Sequence, residues 1–426
     1  MALRCVWSPP PPPPFPSWVI LQRAAQVPPG MEPADPSLVL REPPLVSNLA
    51  VPFQWHPRRY SDGLDSDPYI IAGNDAGFLI HVSWSPFIGF NLNHYPPGVL
   101  EVVSNFVQAA GNGAATGAAE LIPPHAISNI KSVGLVPIPG TGRREYVVAE
   151  FRISVPEDGG DGEDGDDGPS LFTFRSGTDA WVQREVSCPD GWDWTLPVHD
   201  VIAHGEKLWW VNLEHGLLGG DPLGGDENAG ETVLRHVAMP YELDLANEEN
   251  TQNLEHIRMV SVSNRKIRCV GMKRLRDHPP EAVEVSIWTL VQRPALSWKP
   301  RCITTLGQVW SHESYRDQAE LTREVPVLAL LHPANPDVAY FFLGHYLFGV
   351  DVDSSEVVDF LPVQHGLREV ALPFSWRHVL AWMLPDSLEG VLDHEYMDNE
   401  HYPADSDPED EIGIPAEEMD VDLSEE

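Results

Sequence analysis

The sequence predicts an all-β fold, a propeller-like array of short antiparallel sheets, complete or incomplete, with a disordered N-terminal leader and an acidic C-terminal tail. Three observations predict it. From Lys207 to Asp221, KLWWVNLEHGLLGGD reads as strand, turn, short strand, turn: Leu208 to Val211 favour a pleated surface, and Gly216, Gly219 and Gly220 let the backbone bend around Leu217 and Leu218. Weaker copies of that rhythm recur in units of about 45 residues, each too small to cover its own apolar faces, so the units must pack on one another. Only His312 to Arg323 has a helical look, and it is short and polar.

In chain order, Pro9 to Pro14 form a polyproline-like run that cannot join a core, so residues 1–16 are a leader. SWVIL, Ser17 to Leu21, is expected as the first strand. SLVL follows from Ser37, and the hairpin signal Asn74-Asp75-Ala76-Gly77 separates YIIA from FLIHV. Val99 to Ala110, VLEVVSNFVQAA, fits either a helix or a bent strand, and Gly111 to Ala119, GNGAATGAA, is expected as a surface loop. AISNIKSVGLVPI and REYVVAEFRISV give two strands around the turn Pro139 to Gly142, and the acidic EDGGDGEDGDDG after them is expected as a solvated loop. Leu171 to Ser176, Trp181 to Val186, Val198 to Ala203 and the central stretch are expected to form one blade. Ile257 to Ile303 and Val325 to Val363 supply two more units, the latter hinged at Asn335-Pro336-Asp337, and Leu380 to Leu384 closes the ordered part.

Charge and cysteine usage narrow the function classes. The formal charge is -37, from 64 acidic and 27 basic residues, which argues against partners such as nucleic acid or anionic lipid. Seven acids fall between Glu157 and Asp167 and fifteen between Asp393 and Glu426, leaving about -15 for the rest. Cys5, Cys188, Cys269 and Cys302 are scattered without a C-x-x-C pair, so neither a disulfide framework nor a zinc knuckle is expected, and a reducing compartment fits. No apolar run approaches the roughly 18 to 20 residues of a membrane-spanning helix. An intracellular monomer, cytoplasmic or nuclear, is expected. Arg4 and Arg23, with no acid before Glu32, leave an organelle transit peptide open, and Met31 is an alternative start.

The opening Trp18-Val19-Ile20-Leu21, Pro43-Pro44 followed by Ser47, Trp209-Trp210-Val211 with Gly216-Leu217-Leu218 and Asp221, Ile287 to Leu290 before Trp298, Tyr340-Phe341 and Val350-Asp351-Val352 together resemble a plant family, expanded in grasses, known as domain of unknown function 1618. The resemblance implies a named domain over about residues 209–331, with the β-repeats over 17–208 as its upstream partner; from the strand pattern and composition, a closing repeat over 332–392 and a disordered acidic tail over 393–426 are expected after it. Asn212 departs from the family's usual Asp, and Lys273, Arg274 and Arg276 are more basic than its pattern. The family has no established reaction, so the resemblance implies a fold and no catalytic residue.

Motifs for chemistry are sparse. Gly111-Asn112-Gly113 opens like a dinucleotide loop but continues with Thr116, and neither a phosphate-binding P-loop nor a G-x-S-x-G elbow occurs. Asp193, His199, Asp200 and His204 cluster in sequence and, with Asp221, are the residues an enzyme at the propeller face would use; His199 and His204, five apart, point to opposite faces of one strand. No cofactor, metal ligand or catalytic residue is assigned. Trp181, Trp209, Trp288 and Trp298 are expected in the core, whereas Trp192, Asp193 and Trp194, lying between strands, are the expected contact patch. The expected function is a non-enzymatic module that binds another protein. The alternatives are a hydrolase or lyase, or a chaperone using the acidic tail for basic proteins, with the basic run Arg265 to Arg276 as a place for that tail to fold back.

Overall fold

The computed structural model describes residues 17–25, 35–52, 68–83, 98–108, 114–125, 127–140, 145–153, 168–189, 197–224, 231–243, 254–274, 278–292, 295–362, 378–385 and 388, all within the unit Met1–Leu392. SWVIL forms the first strand as expected. It is β1 (Trp18–Gln22), followed by β2 (Ser37–Val39), β3 (Val46–Ala50), β4 (Tyr69–Asn74), β5 (Gly77–Ser83), β6 (Gly98–Gln108) and β7 (Ala114–Leu121). With the last strand, β25 (Val379–Met383), these make an eight-stranded sheet in the order β25-β1-β3-β2-β7-β6-β5-β4. A second sheet of five strands contains β8 (Val133–Pro137), β9 (Tyr146–Ile153), β10 (Pro169–Arg175), β11 (Val182–Ser187) and β15 (Glu231–Val233).

Three four-stranded sheets complete the body. The first joins β12 (Asp200–His204), β13 (Lys207–Asn212), β14 (Gly216–Gly220) and β16 (Arg235–Ala238). The next joins β17 (Arg258–Ser263), β18 (Lys266–Lys273), β19 (Glu284–Val291) and β20 (Ser297–Thr305). The last joins β21 (Val327–Leu331), β22 (Val338–Leu343), β23 (Tyr346–Asp351) and β24 (Glu356–Pro362). The expected units from Ile257 and from Val325 are these last two sheets.

The sheets close into a ring. Strands β4, β8, β12, β17, β21 and β25 touch in a cycle that returns from β25 to β4. The eight-stranded sheet therefore supplies two places in a ring of six, its halves linked through β2. Strand β25 pairs antiparallel with β1, from Trp18 opposite Met383 to Gln22 opposite Val379, so one blade is built from segments far apart in sequence. Cores fill the spaces between neighbours, as small sheets with two apolar faces require. Trp210, 1% exposed, lies between the second sheet and the sheet of β12–β14, where its Nε1 donates to Ser132 O at 2.9 Å.

The central motif is explained by close approach. A Cβ on Gly219 would stand 2.3 Å from the Trp209 ring, and Gly216, at φ +147°, would place one 2.3 Å from Val237 O. Val211, Leu217 and Leu218 are fully buried, and Asp221 Oδ1 accepts from Leu223 N at 2.9 Å to close the next turn. Trp209 and Trp288 are buried, and Trp181 and Trp298 half-buried.

Four expectations are corrected or resolved. Gly111 to Ala119 is not all loop: from Ala114 it is β7, held between β2 and β6, where those two ladders outweigh the weak strand propensity of Ala and Gly. Val99 to Gln108 is strand, lying in β6 with an irregularity between Ser104 and Val107, and Ala109 and Ala110 lie outside the described residues. The expected four-strand blade is divided, β10 and β11 lying in the second sheet and β12–β14 in the third, because β15 and β16, after the glycine-rich loop, supply the missing edges. The helical segment begins earlier than His312. It is α2 (Leu306–Ser311) and α3 (Glu313–Arg316), the former started by a Thr305–Gln308 capping box, and a short α1 (Leu254–Ile257) precedes β17. The Glu157–Asp167 loop, Gly111–Gly113, the leader and the acidic tail lie outside the described residues.

Candidate functional site

The six strands of the ring surround a central cavity of about 810 Å³. Every one of them contributes lining: Ile71 to Asn74 from β4, Leu135 and Pro137 from β8, Asp200 to His204 from β12, Met259 to Val262 from β17, Leu330 and Leu331 from β21, and all of β25. The large aliphatic side chains of these strands, such as Ile71, Met259, Leu331 and Leu380, are buried in the cores between sheets, while Ala72, Ile202 and Ser261 stay half-buried, and polar and apolar surface line the cavity about equally.

Polar groups gather where the ring strands begin. Arg23 follows β1, and its backbone N donates to His378 O at 2.9 Å. Its guanidinium lies 5.8 Å from the centre of the Tyr69 ring, with Nη1 donating to Ile70 O at 3.2 Å and Ile71 O at 2.9 Å. Burial works to lower the Arg23 pKa, but Tyr69, Asp200 and Glu255 outweigh it and hold the group charged. Asp200 begins β12, its Oδ1 accepting from Val201 N at 2.9 Å. Glu255 in α1 accepts from Lys131 Nζ at 2.7 Å. Burial pushes His256 and His378 down, His378 also because it faces His256.

The opposite end is a rim of turns. Exposed Asp75, Gly205, Asn264, Arg265, Ala334 and Met383 line it. Hydrogen bonds tie these turns from sheet to sheet. Trp382 Nε1 donates to Asn74 O at 3.2 Å, and Asn74 Nδ2 to Leu135 O at 2.7 Å. His204 Nε2 meets Arg265 O at 3.0 Å, Asn264 N donates to Pro333 O at 2.7 Å, and Ser263 Oγ to His332 O at 2.7 Å. The rim is thus a fixed frame.

Of the residues singled out from sequence, Asp200 and His204 line the cavity, four apart on one strand face. His199 does not: its Nδ1 accepts from Leu213 N at 3.2 Å. Asp221 sits in its own turn, so of the described members of the expected Asp/His constellation Asp200 and His204 reach the cavity and His199 and Asp221 do not. Trp192, Asp193 and Trp194 lie outside the described residues. Among the described residues no group of three or more His, Cys, Asp or Glu is placed to hold a metal ion. The basic run is dispersed. Arg265 and Lys266 are exposed at a turn, Arg268 is buried against Ser263 and Thr289, and Lys273 donates to Glu242 O.

Sequence reasoning missed Arg23, which lines the cavity. The available signal was an arginine set directly after a fully buried strand, WVILQ.

Residues 210–340 match a family model described as "Protein of unknown function (DUF1618)". No curated protein matches the chain. Among solved structures, one titled "Structure of apo AztD from Citrobacter koseri" is similar over 70% of this chain and 74% of that chain, at 13% identity and a TM-score of 0.30, too distant to carry an argument. The DUF1618 segment begins inside β13 and ends inside β22. It supplies Met259 to Val262, Arg265 and Leu331 to the cavity, whereas Arg23, Asp200 and His204 lie outside it. No helix among the described residues is long and apolar enough to cross a membrane.

Proposed function

We propose that this protein is a non-enzymatic interaction module whose protein partner docks on the turn-lined rim of the central cavity. The observation that supports it is the frame of sheet-to-sheet hydrogen bonds beneath exposed turns, Asn74 to Leu135 at 2.7 Å and Asn264 to Pro333 at 2.7 Å among them, because loops on a rigid scaffold are where binding surfaces are built. Arg265 and Lys266 give one side of that rim positive charge, so an acidic segment of the partner is expected there.

The test is quantitative affinity purification with the wild-type chain, an Arg265→Glu/Lys266→Glu variant, a Met383→Asp variant and a chain ending at Leu392. Loss of the same partner from both rim variants, with unchanged thermal unfolding, supports the reading. Unchanged recovery from both rim variants overturns it, and loss confined to the shortened chain favours a tail-based chaperone for basic proteins instead. A hydrolase or lyase reading keeps Asp200 and His204 on the cavity wall, and turnover abolished by Asp200→Asn would establish it.

A further inference from the structure

We propose that the slot between β25 and β3 is a strand-acceptor site which β1 fills either in its own chain or in a second copy, so that two copies of this chain assemble by exchanging β1. The inference goes beyond the rim-docking reading and does not rest on it.

Strand β1 sits in its slot as a bound peptide would. All five of its residues are buried, and Val19, Ile20 and Leu21 have no exposure at all. Alternate side chains enter two different cores, Trp18 and Ile20 one, Val19 and Leu21 the other. Backbone hydrogen bonds continue past both ends of the strand: Leu384 N donates to Ser17 O at 2.8 Å, Arg23 N to His378 O at 2.9 Å and Ala25 N to Pro68 O at 2.8 Å. Main-chain hydrogen bonds with pockets for alternate side chains are the means by which a sheet accepts an added strand.

Parts of the chain remote from β1 in sequence build the slot. Its antiparallel partner β25 is the last strand of the body, and its parallel partner β3, opposite Ile20 and Leu21, is reached only through β2. Among the described strands β1 alone pairs with β25. An empty slot would leave β25 and β3 as open edges beside apolar cores, which is unfavourable in water. Refilling it from a second copy restores every contact of the closed form, so the two forms differ only in the path from β1 to β2 and in the entropy of association. The exchange is reciprocal, each copy giving one β1 and receiving one, and the product is a closed dimer rather than an open array. The monomer expected from the sequence corresponds to the closed form.

Disulfide trapping in the full-length chain, with Cys5 and Cys188 replaced by serine, tests this. Ile20 and Ala381 stand opposite each other. The hydrogen bonds from Arg23 to His378 and from Leu384 to Ser17 put them at a non-hydrogen-bonded position, where Cα atoms about 4.5 Å apart lie within disulfide reach. A chain carrying Ile20→Cys is mixed at high concentration with one carrying Ala381→Cys, refolded from urea and oxidised. We expect a covalent dimer, lost when the second chain carries Lys299→Cys instead, on the exposed outer strand β20. Gln22→Cys with Val379→Cys repeats the test should the first pair fail to fold. Light scattering of the wild-type chain refolded in the same way needs no substitution and should show a dimer fraction that grows with concentration. A wild type that returns only as monomer, or a matched pair giving no more covalent dimer than the Lys299→Cys control, would overturn the proposal.

Discussion

Trp210 shows how one side chain joins two sheets by both of its characters. The indole is 1% exposed, its ring packs 5.6 Å from that of Phe151, and its Nε1 satisfies the carbonyl of Ser132, itself buried. Trp210→Ala should cost about 3–5 kcal/mol through the cavity it leaves. Trp210→Phe refills most of the space but orphans the carbonyl, at about 1–3 kcal/mol. Urea unfolding measures both, and a Phe variant as stable as wild type would show the hydrogen bond to be without net effect. His81 makes a second residue-level prediction. Burial pushes it, and likewise His332, down to about 4. The unfolded chain takes up these protons near pH 6.5 while the folded chain resists them, so the stability this contributes is present above 6.5 and is lost as pH falls towards 4. For His81, 5% exposed, that is on the order of 3 kcal/mol. Glu101, raised by burial to about 7, acts in the opposite sense in the same window. The His81 part is therefore read as a difference: urea midpoints at pH 7 and pH 4.5 should diverge less in His81→Gln than in wild type, and equal divergence would remove His81 as the cause.

At the scale of elements, the linker between β7 and β8 is anchored by one carboxylate. Glu150 on β9 is fully buried. Its Oε1 accepts from Ser128 N at 2.6 Å and Ser128 Oγ at 2.7 Å, and its Oε2 from Arg152 Nη2 at 2.8 Å, with His125 Nε2 at 3.0 Å. Burial alone would raise its pKa, but the hydrogen bonds of His125 and Ser128 and the charge of Arg152 hold it below the usual carboxylate range. Glu150→Gln places an amide donor among donors and should destabilise by about 3 kcal/mol, with limited proteolysis cutting first near His125 to Asn129. Unaltered proteolysis would show that the anchor lies elsewhere. Elements of this kind were unevenly legible in the sequence. The sheets of β17–β20 and β21–β24 could be read directly, because alternating strands are joined by turns such as Asn264-Arg265 and Asn335-Pro336-Asp337. β7 could not, since its alanines acquire strand character only from β2 and β6 on either side. Nor could the membership of β10 and β11, whose outer partner β15 is three residues long. Asp200 and His204 on the cavity wall were visible as candidates, but Arg23, which lines the same cavity, is 177 positions from Asp200 in sequence and is placed by the pairing of β1 with β25.

That closure governs the whole molecule. Each ring strand has one sheet on either flank, so stability resides in the junctions between sheets and is shared around the circle. The family segment does not respect those junctions. Residues 210–340 start midway along β13, omit β12, and stop within β22 before β23 and β24, leaving the third sheet without its inner strand and the fifth without its outer two. Both open edges would expose unpaired backbone and apolar faces that the intact ring covers with Val201, Leu208, Leu347 and Val350. The fragment 210–340 expressed alone is therefore expected to lack a cooperative thermal transition, while residues 17–392 retain one sharp transition. Differential scanning calorimetry of the two distinguishes the cases. A fragment that melted sharply would mean that these sheets carry their stability internally, and the ring would then be an arrangement of independent parts.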